Sequence, residues 1–171
     1  TQSTWEAANI MQSSRNLLKP ASGEPVVSAR LDMVYGAYYL TTYQDGVAGE
    51  GKAYSSKNEA ILAYQMGDLH VRAKVRVNMR PRDEDAPTTV ETSVGRVLFN
   101  NVLPHELRFR NEPMDSNALK KIVHDCFQML GTEVTAQTVD KIKKIGFQYG
   151  LLSGMSIAMT DITIPSNKQL V

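Results

Sequence analysis

Hydrophobic and polar positions alternate most cleanly between residues 69 and 77, where Val71, Ala73, Val75 and Val77 fall on one side and His70, Arg72, Lys74 and Arg76 on the other. A period of two marks a half-buried strand, so the spacing predicts a strand over 70–78. The passage from Arg80 to Pro87 mixes charges with two prolines and predicts an exposed, variable loop over 79–88. Residues 88–93 then return as the partner strand.

The remaining periodicity is helical. Ser3-Thr4-Trp5-Glu6 has capping-box spacing, and Ala7, Ile10, Met11, Ser14, Leu17 and Leu18 recur on one face, which predicts a helix over 4–18 with Trp5 as a core or interface anchor. Ser56-Lys57-Asn58-Glu59 is a second box, followed by Ala60, Ile61, Tyr64 and Gln65 and stopped by Gly67, giving a helix over 57–66. Asp115 or Ser116 can cap a helix over 116–130, with Leu119, Ile122, Val123, Cys126, Phe127 and Leu130 as its stripe and Gly131 as its stop. A last helix over 136–153 carries Gly146, Gly150 and Gly154 at intervals of four, which leaves a groove open to another backbone. The segment from Asp32 to Thr41 is apolar and aromatic without clean alternation. It fits a short helix or a buried strand, and a helix is expected. These elements predict an α+β fold, with helices packed around a small antiparallel sheet.

Composition narrows the chemistry. The 171 residues carry 19 Lys+Arg against 18 Asp+Glu, a net charge of +1, so any contact with nucleic acid is expected to be local. The single cysteine, Cys126, excludes an internal disulfide and a Cys-type zinc site and suits a reducing cytoplasm. No run approaches the roughly 18 apolar residues of a membrane span. Gly46, Gly49 and Gly51 with Asp45 form a loop that lacks the Lys-Ser/Thr of a phosphate cradle. His124 and Asp125 are adjacent on a helix and point about 100° apart, so they form no catalytic pair. Cys126 reads as packing rather than nucleophile. No motif for a catalytic centre or metal site is present. The chain opens at Thr1 rather than Met, which favours an internal piece of a larger, multi-domain subunit.

Three ordered blocks carry a resemblance. The first is Asn16-Leu17-Leu18-Lys19-Pro20-Ala21-Ser22-Gly23-Glu24-Pro25, followed by Asp32, Gly36 and Tyr38-Tyr39-Leu40-Thr41. Next comes Thr92-Ser93-Val94-Gly95-Arg96-Val97-Leu98-Phe99-Asn100-Asn101-Val102-Leu103-Pro104. The last runs from Lys144 to Ile164 and contains Gly146-Phe147, Ser153-Gly154, Ser156-Ile157 and Asp161-Ile162. Together they resemble the bacterial DNA-directed RNA polymerase β′ family in the segment that follows its metal-binding aspartate loop. Leu31 stands where that family usually has Gln, and Arg15 where a second Asn is common.

The resemblance implies that residues 1–171 form the pore and funnel region of the secondary channel, with 1–18 as the helix leaving the active-site domain. It implies a structural role in a nucleotidyltransferase: walling the path by which nucleoside triphosphates enter and the RNA 3′ end backs out. Under this reading the isolated piece holds no catalytic residue and no metal, and the Mg2+ of the intact enzyme sits on residues outside the chain. Implied partners are the rest of β′, the β, α and ω subunits, DNA template, RNA transcript, triphosphates and transcript-cleavage factors, in the cytoplasm and away from membranes. Asn16, Lys19 and Arg96 are the candidates for facing the channel, nucleotide or nucleic acid. Asn16 could instead cap the helix end, Lys19 be solvated, and Arg96 form a structural ion pair. Pro20, Gly23, Pro25, Asp32, Gly36, Gly95, Gly146 and Gly154 are the structural motif positions. Two other classes compete: a free-standing, non-catalytic nucleic-acid or protein-binding module, and a small hydrolase using His124 or His105. Neither histidine has a recognisable partner motif.

Overall fold

Helix α2 (Asp32–Thr41) lies in the glycine groove of the long helix α5 (Ser116–Ser153), and this pairing is the most extensive between any two elements. The computed structural model describes residues 1–80, 86–156 and 158–162. A Cβ added to Gly36 would overlap the carbonyl oxygen of Gly146 and come within 2.6 Å of the Gly150 nitrogen. On the other side, a Cβ on Gly146 would lie 2.7 Å from the Met33 carbonyl oxygen. Two backbones therefore touch where side chains would normally hold helices 8–10 Å apart. The four-residue glycine spacing produces the groove that the sequence predicts, and the segment 32–41 is the helix that fills it. Gly154 takes no part in the groove; it ends α5 in the left-handed conformation, at φ 60°.

The sheet has three strands in the order β1 (Ala53–Tyr54), β2 (Val75–Met79) and β3 (Thr88–Thr92). β2 and β3 pair antiparallel, with Val77 opposite Val90, as their alternation predicts. β1 is a correction to the purely antiparallel expectation. It joins β2 in parallel because the glycine loop before it folds back along that edge, where Gly51 N–H donates to the Lys74 carbonyl and Arg76 N–H to that of Lys52. Val71, Ala73, Val75 and Val77 are all buried as the pattern requires. Residues 70–73, however, turn rather than extend, so the strand is shorter than predicted. Within the expected loop 79–88, Met79 and Thr88 belong to strands, and 81–85 lie outside the described residues.

Helix α3 (Lys57–Gln65) starts at Ser56, whose hydroxyl accepts from Glu59 N–H, and is followed by Gly67 at φ 84°. The sequence anticipates both ends. Helix α4 (Val94–Asn101) was not anticipated by periodicity; Ser93 caps it by accepting from Arg96 N–H. Gly95 faces the Leu40 carbonyl so closely that a Cβ there would overlap it, which docks α4 against α2. Val94, Val97, Ala60, Leu69, Val75 and Val77 form one apolar cluster under the sheet. Phe99, Leu40, Ile122, Cys126, Ile142 and Tyr149 form the second, between α2, α4 and α5.

The predicted helix over 4–18 is corrected. An α-helix spans only Gln2–Glu6, a wider π turn follows at Ala7–Met11, Gln12 is extended, and a 3-10 turn covers Ser13–Arg15. The apolar stripe had no partner to hold it: Trp5, Ile10 and Met11 are all exposed, and Trp5 is no core anchor in this chain. Predicted helices over 116–130 and 136–153 are present, separated only by Gly131 at φ 79° and ψ −173°.

Candidate functional site

Arg96 is buried to 5 % exposure, and its guanidinium gathers two distant parts of the chain, residues 41–43 and Asn111. Nε donates to the Thr41 carbonyl at 2.9 Å; Nη1 lies 2.7 Å from both the Tyr43 hydroxyl and the Asn111 carbonyl and 3.1 Å from Asn111 Oδ1. The same guanidinium stacks 3.9 Å above the centre of the Tyr43 ring. Burial pushes the Arg96 guanidinium below its ordinary range, opposed by the Tyr43 hydroxyl, and burial raises Tyr43 in turn. No carboxylate pairs with Arg96 among the described residues, so the structural ion pair weighed from the sequence is instead a web of carbonyls, an amide and a ring. An arginine suits that web because its planar fork stays charged and serves several acceptors at once.

Neighbouring amides extend the node. Asn100 Nδ2 donates to the Arg96 and Arg110 carbonyls and its Oδ1 accepts from Arg110 N–H, so this one side chain fastens 110 to α4. Asn111 Nδ2 reaches the Glu91 carbonyl on β3. Thr41 Oγ1 donates to the Ala37 carbonyl and accepts from Met114 N–H, and Arg110 pairs with Asp125 on α5. The carboxylate beside His124 is thereby used in packing, while His124 is exposed. Thr41, Tyr43, Asn100 and Asn111 carry this node, and no sequence signal named Tyr43 or Asn111, because their partner lies 53 and 15 residues away.

Asn16 and Lys19 lie elsewhere, on the exposed turn that follows the first helical segment. Leu18 bridges Pro25, Val26 N–H donates to the Leu17 carbonyl, and Gly23, at φ 67°, closes the turn by donating to Lys19. Buried Leu17 pins this hairpin to the body. Asn16 Nδ2 donates to the carbonyls of Ile10 and Gln12, satisfying carbonyls at the end of the irregular helical segment. Lys19 Nζ sits 3.1 Å from Glu24 Oε2 with both side chains exposed, a surface pair worth roughly 0–1 kcal/mol. No hydrogen bond or ion pair among the described residues joins either of them to Arg96.

The basic positions of the alternating segment 70–76 are partly committed as well. Arg72 stacks over Tyr39 and donates to the Thr42 carbonyl, and Lys74 pairs with Glu91 at 2.8 Å. Among the described residues no three His, Cys, Asp or Glu side chains cluster as a metal site. Nor is any described helix long and apolar enough to cross a membrane.

Comparison with known proteins assigns the whole arrangement. A family model described as RNA polymerase Rpb1, domain 3 matches residues 16–162. The chain belongs to this family. It is 45% identical over 163 residues to the DNA-directed RNA polymerase subunit beta′ of Dehalococcoides mccartyi strain 195, covering 95% of this chain and 12% of that subunit. Against the beta′ subunits of Pelotomaculum thermopropionicum and Moorella thermoacetica the identities are 43% and 44%, each covering 96% of the chain and 14% of the relative. This Rpb1 domain 3 chain thus spans about an eighth of the length of the curated relatives it matches. The resemblance drawn from the three motif blocks holds, although Ile157 and Ile164 of the last block lie outside the described residues.

Proposed function

We propose that this chain acts as a non-catalytic wall of the secondary channel in a multisubunit DNA-directed RNA polymerase. The similarity to beta′ subunits over 95% of the chain carries this reading. The packing supports it: the glycine seam between α2 and α5 and the Arg96 node fix backbones rather than flexible side chains, as a wall beside a reaction centre requires. Nucleotidyl transfer depends on holding reacting groups in tight register, and rigid support removes the entropy of misplacement. The polymerase's activity, its Mg2+, its DNA, RNA and triphosphate partners, its other subunits and cleavage factors, and its cytoplasmic setting belong to this proposal and not to the chain alone.

In this role the turn over 16–25 is the part offered to the channel, since Asn16 and Lys19 are exposed while Arg96 is enclosed. Lys19 exchanges its surface pair with Glu24 for a passing phosphate at little cost. The test places Asn16→Ala and Lys19→Ala in the full polymerase and measures triphosphate KM and the rate of transcript cleavage after backtracking. A several-fold change in either quantity is expected, about 1 kcal/mol. Unchanged values in a normally assembled enzyme would remove the turn from the channel.

A further inference from the structure

A cavity of about 370 Å3 opens beside the end of α4, and its lining includes Lys57, Arg80, Lys141, His105, Asn101 and Phe109. That volume falls in the range of small-ligand sites. Its three permanent cations arrive from three separate elements: Lys57 opens α3, Arg80 follows β2, and Lys141 lies on α5. No carboxylate among the described residues lines the cavity. Among the described residues none of the three cations makes an ion pair. The acids adjoining Lys141 and His105 in sequence have partners of their own among the described residues: Asp140 lies 3.0 Å from Lys143, and Glu106 is beside His105 Nε2 at 3.5 Å. Lys57 is steadied 5.6 Å above the Phe109 ring, which holds its ammonium at the cavity.

Three cations that make no ion pair among the described residues repel one another across one concavity, and an anion held between them relieves that repulsion. Lysine and arginine together supply a point charge and a fork of parallel donors, the combination that fits phosphoryl oxygens. Asn101 adds an exposed amide, while the Asn100 amide is committed to the Arg96 and Arg110 carbonyls. We propose that this cavity is a phosphoryl-binding site, taking a phosphate group from either a free polyphosphate or an RNA backbone. It stands on the cavity's own residues and not on the channel role of the turn over 16–25.

Lysine acetylation footprinting of the assembled polymerase, read by mass spectrometry, tests it without relying on catalytic activity. The probes are millimolar inorganic tripolyphosphate, a short single-stranded RNA, and polyglutamate. Acetylation of Lys57 and Lys141 is expected to slow several-fold with tripolyphosphate or RNA while other lysines of the segment keep their rates, and Arg80→Gln is expected to reduce that protection. Protection by both probes identifies a free phosphoryl group as sufficient; protection by RNA alone identifies the strand backbone. The proposal is overturned by unchanged rates at Lys57 and Lys141, by equal slowing at every lysine, or by protection with polyglutamate alone. Protection that survives Arg80→Gln in full, or lysines already unreactive without any anion because neighbouring protein covers them, also overturns it.

Discussion

Gly36 and Gly146 meet backbone to backbone: the Cβ that any other residue would bring to Gly36 overlaps the Gly146 carbonyl oxygen. The obstacle is main chain inside two helices, so it cannot swing aside as a side chain would. Gly36→Ala is expected to cost at least about 3 kcal/mol, the upper part of the overpacking range. Gly154→Asn is the matched control, because Gly154 has open space around it and an αL backbone that asparagine tolerates. Urea denaturation of the two variants beside the parent checks the contrast, and similar midpoints would show the seam to be loose.

The Arg96 node predicts that charge alone does not replace the guanidinium. Arg96→Lys keeps the cation but cannot serve the Thr41 carbonyl, the Tyr43 hydroxyl and Asn111 together, leaving buried acceptors unpaired. A loss of about 2–4 kcal/mol is expected, since each orphaned buried group costs roughly 1–3 kcal/mol. Because no carboxylate forms an ion pair with Arg96 among the described residues, the loss should depend only weakly on salt. A loss that vanishes at high salt would point to an ion pair in its place.

These two relationships differ in how far the sequence exposes them. A four-residue glycine repeat states directly that one helix face is bare, so the groove was legible, as were the capped start of α3 and the alternating β2. The partner of Arg96 was not legible, because a guanidinium's acceptors include backbone carbonyls, which carry no residue signature, and Thr41 lies 55 residues back. Helix α4 stayed hidden for a related reason: Gly95 and Asn100 weaken its local helical signal, and tertiary contacts to Leu40 and Arg110 stabilise it. The first helix failed in the opposite direction. Its stripe has the right period, but Ile10 and Met11 find no surface to cover, and periodicity without a partner does not hold a long helix.

His70 gives a pH dependence of defined sign. Burial lowers its proton affinity and the charge of Arg72 lowers it further, while its Nδ1 accepts from Arg72 N–H at 3.2 Å and so favours the neutral ring. The unfolded chain therefore binds more protons than the folded one between the depressed folded value and the ordinary value near 6.5. This contribution is fully present above that ordinary value and is lost as pH falls through the window to the folded value. His70→Gln should flatten the slope of stability against pH there, measured by urea titration at a series of pH values. An unchanged slope would assign it to other groups.

Cys126 is wholly buried, with its sulfur 3.7 Å from Thr138 Oγ1 across the break in α5. A thiol so placed is inert until the core opens. Its reaction with a thiol reagent such as dithionitrobenzoate should follow global unfolding, accelerating with urea in step with the loss of helical circular dichroism. Rapid labelling under native conditions would show that the two halves of α5 separate easily.

That junction rests on Gly131. With φ 79° and ψ −173° it occupies a region essentially reserved for glycine, and nothing lies within 4 Å of where its Cβ would sit. The cost of Gly131→Ala is therefore conformational, roughly 1–3 kcal/mol, without the steric overlap that Gly36 suffers. Asparagine should give no rescue, because its tolerance is for the αL region near ψ +47° and not for an extended ψ. The break also aims the two halves of α5: it sets Ile122 and Cys126 on one side and Ile142 on the other in one cluster with Leu40, with Thr138 against the Cys126 sulfur. If a substitution drives the helix straight through, this packing is lost together with the Thr135 hydroxyl's bond to the Gly131 carbonyl at 2.7 Å. Gly131→Ala and Gly131→Asn should thus lower the urea midpoint alike and expose Cys126 to thiol reagent, whereas Gly154→Asn should do neither. Equal tolerance of asparagine at both glycines would mean that residue 131 relaxes to an ordinary left-handed turn and that the angle between the halves is set by packing alone.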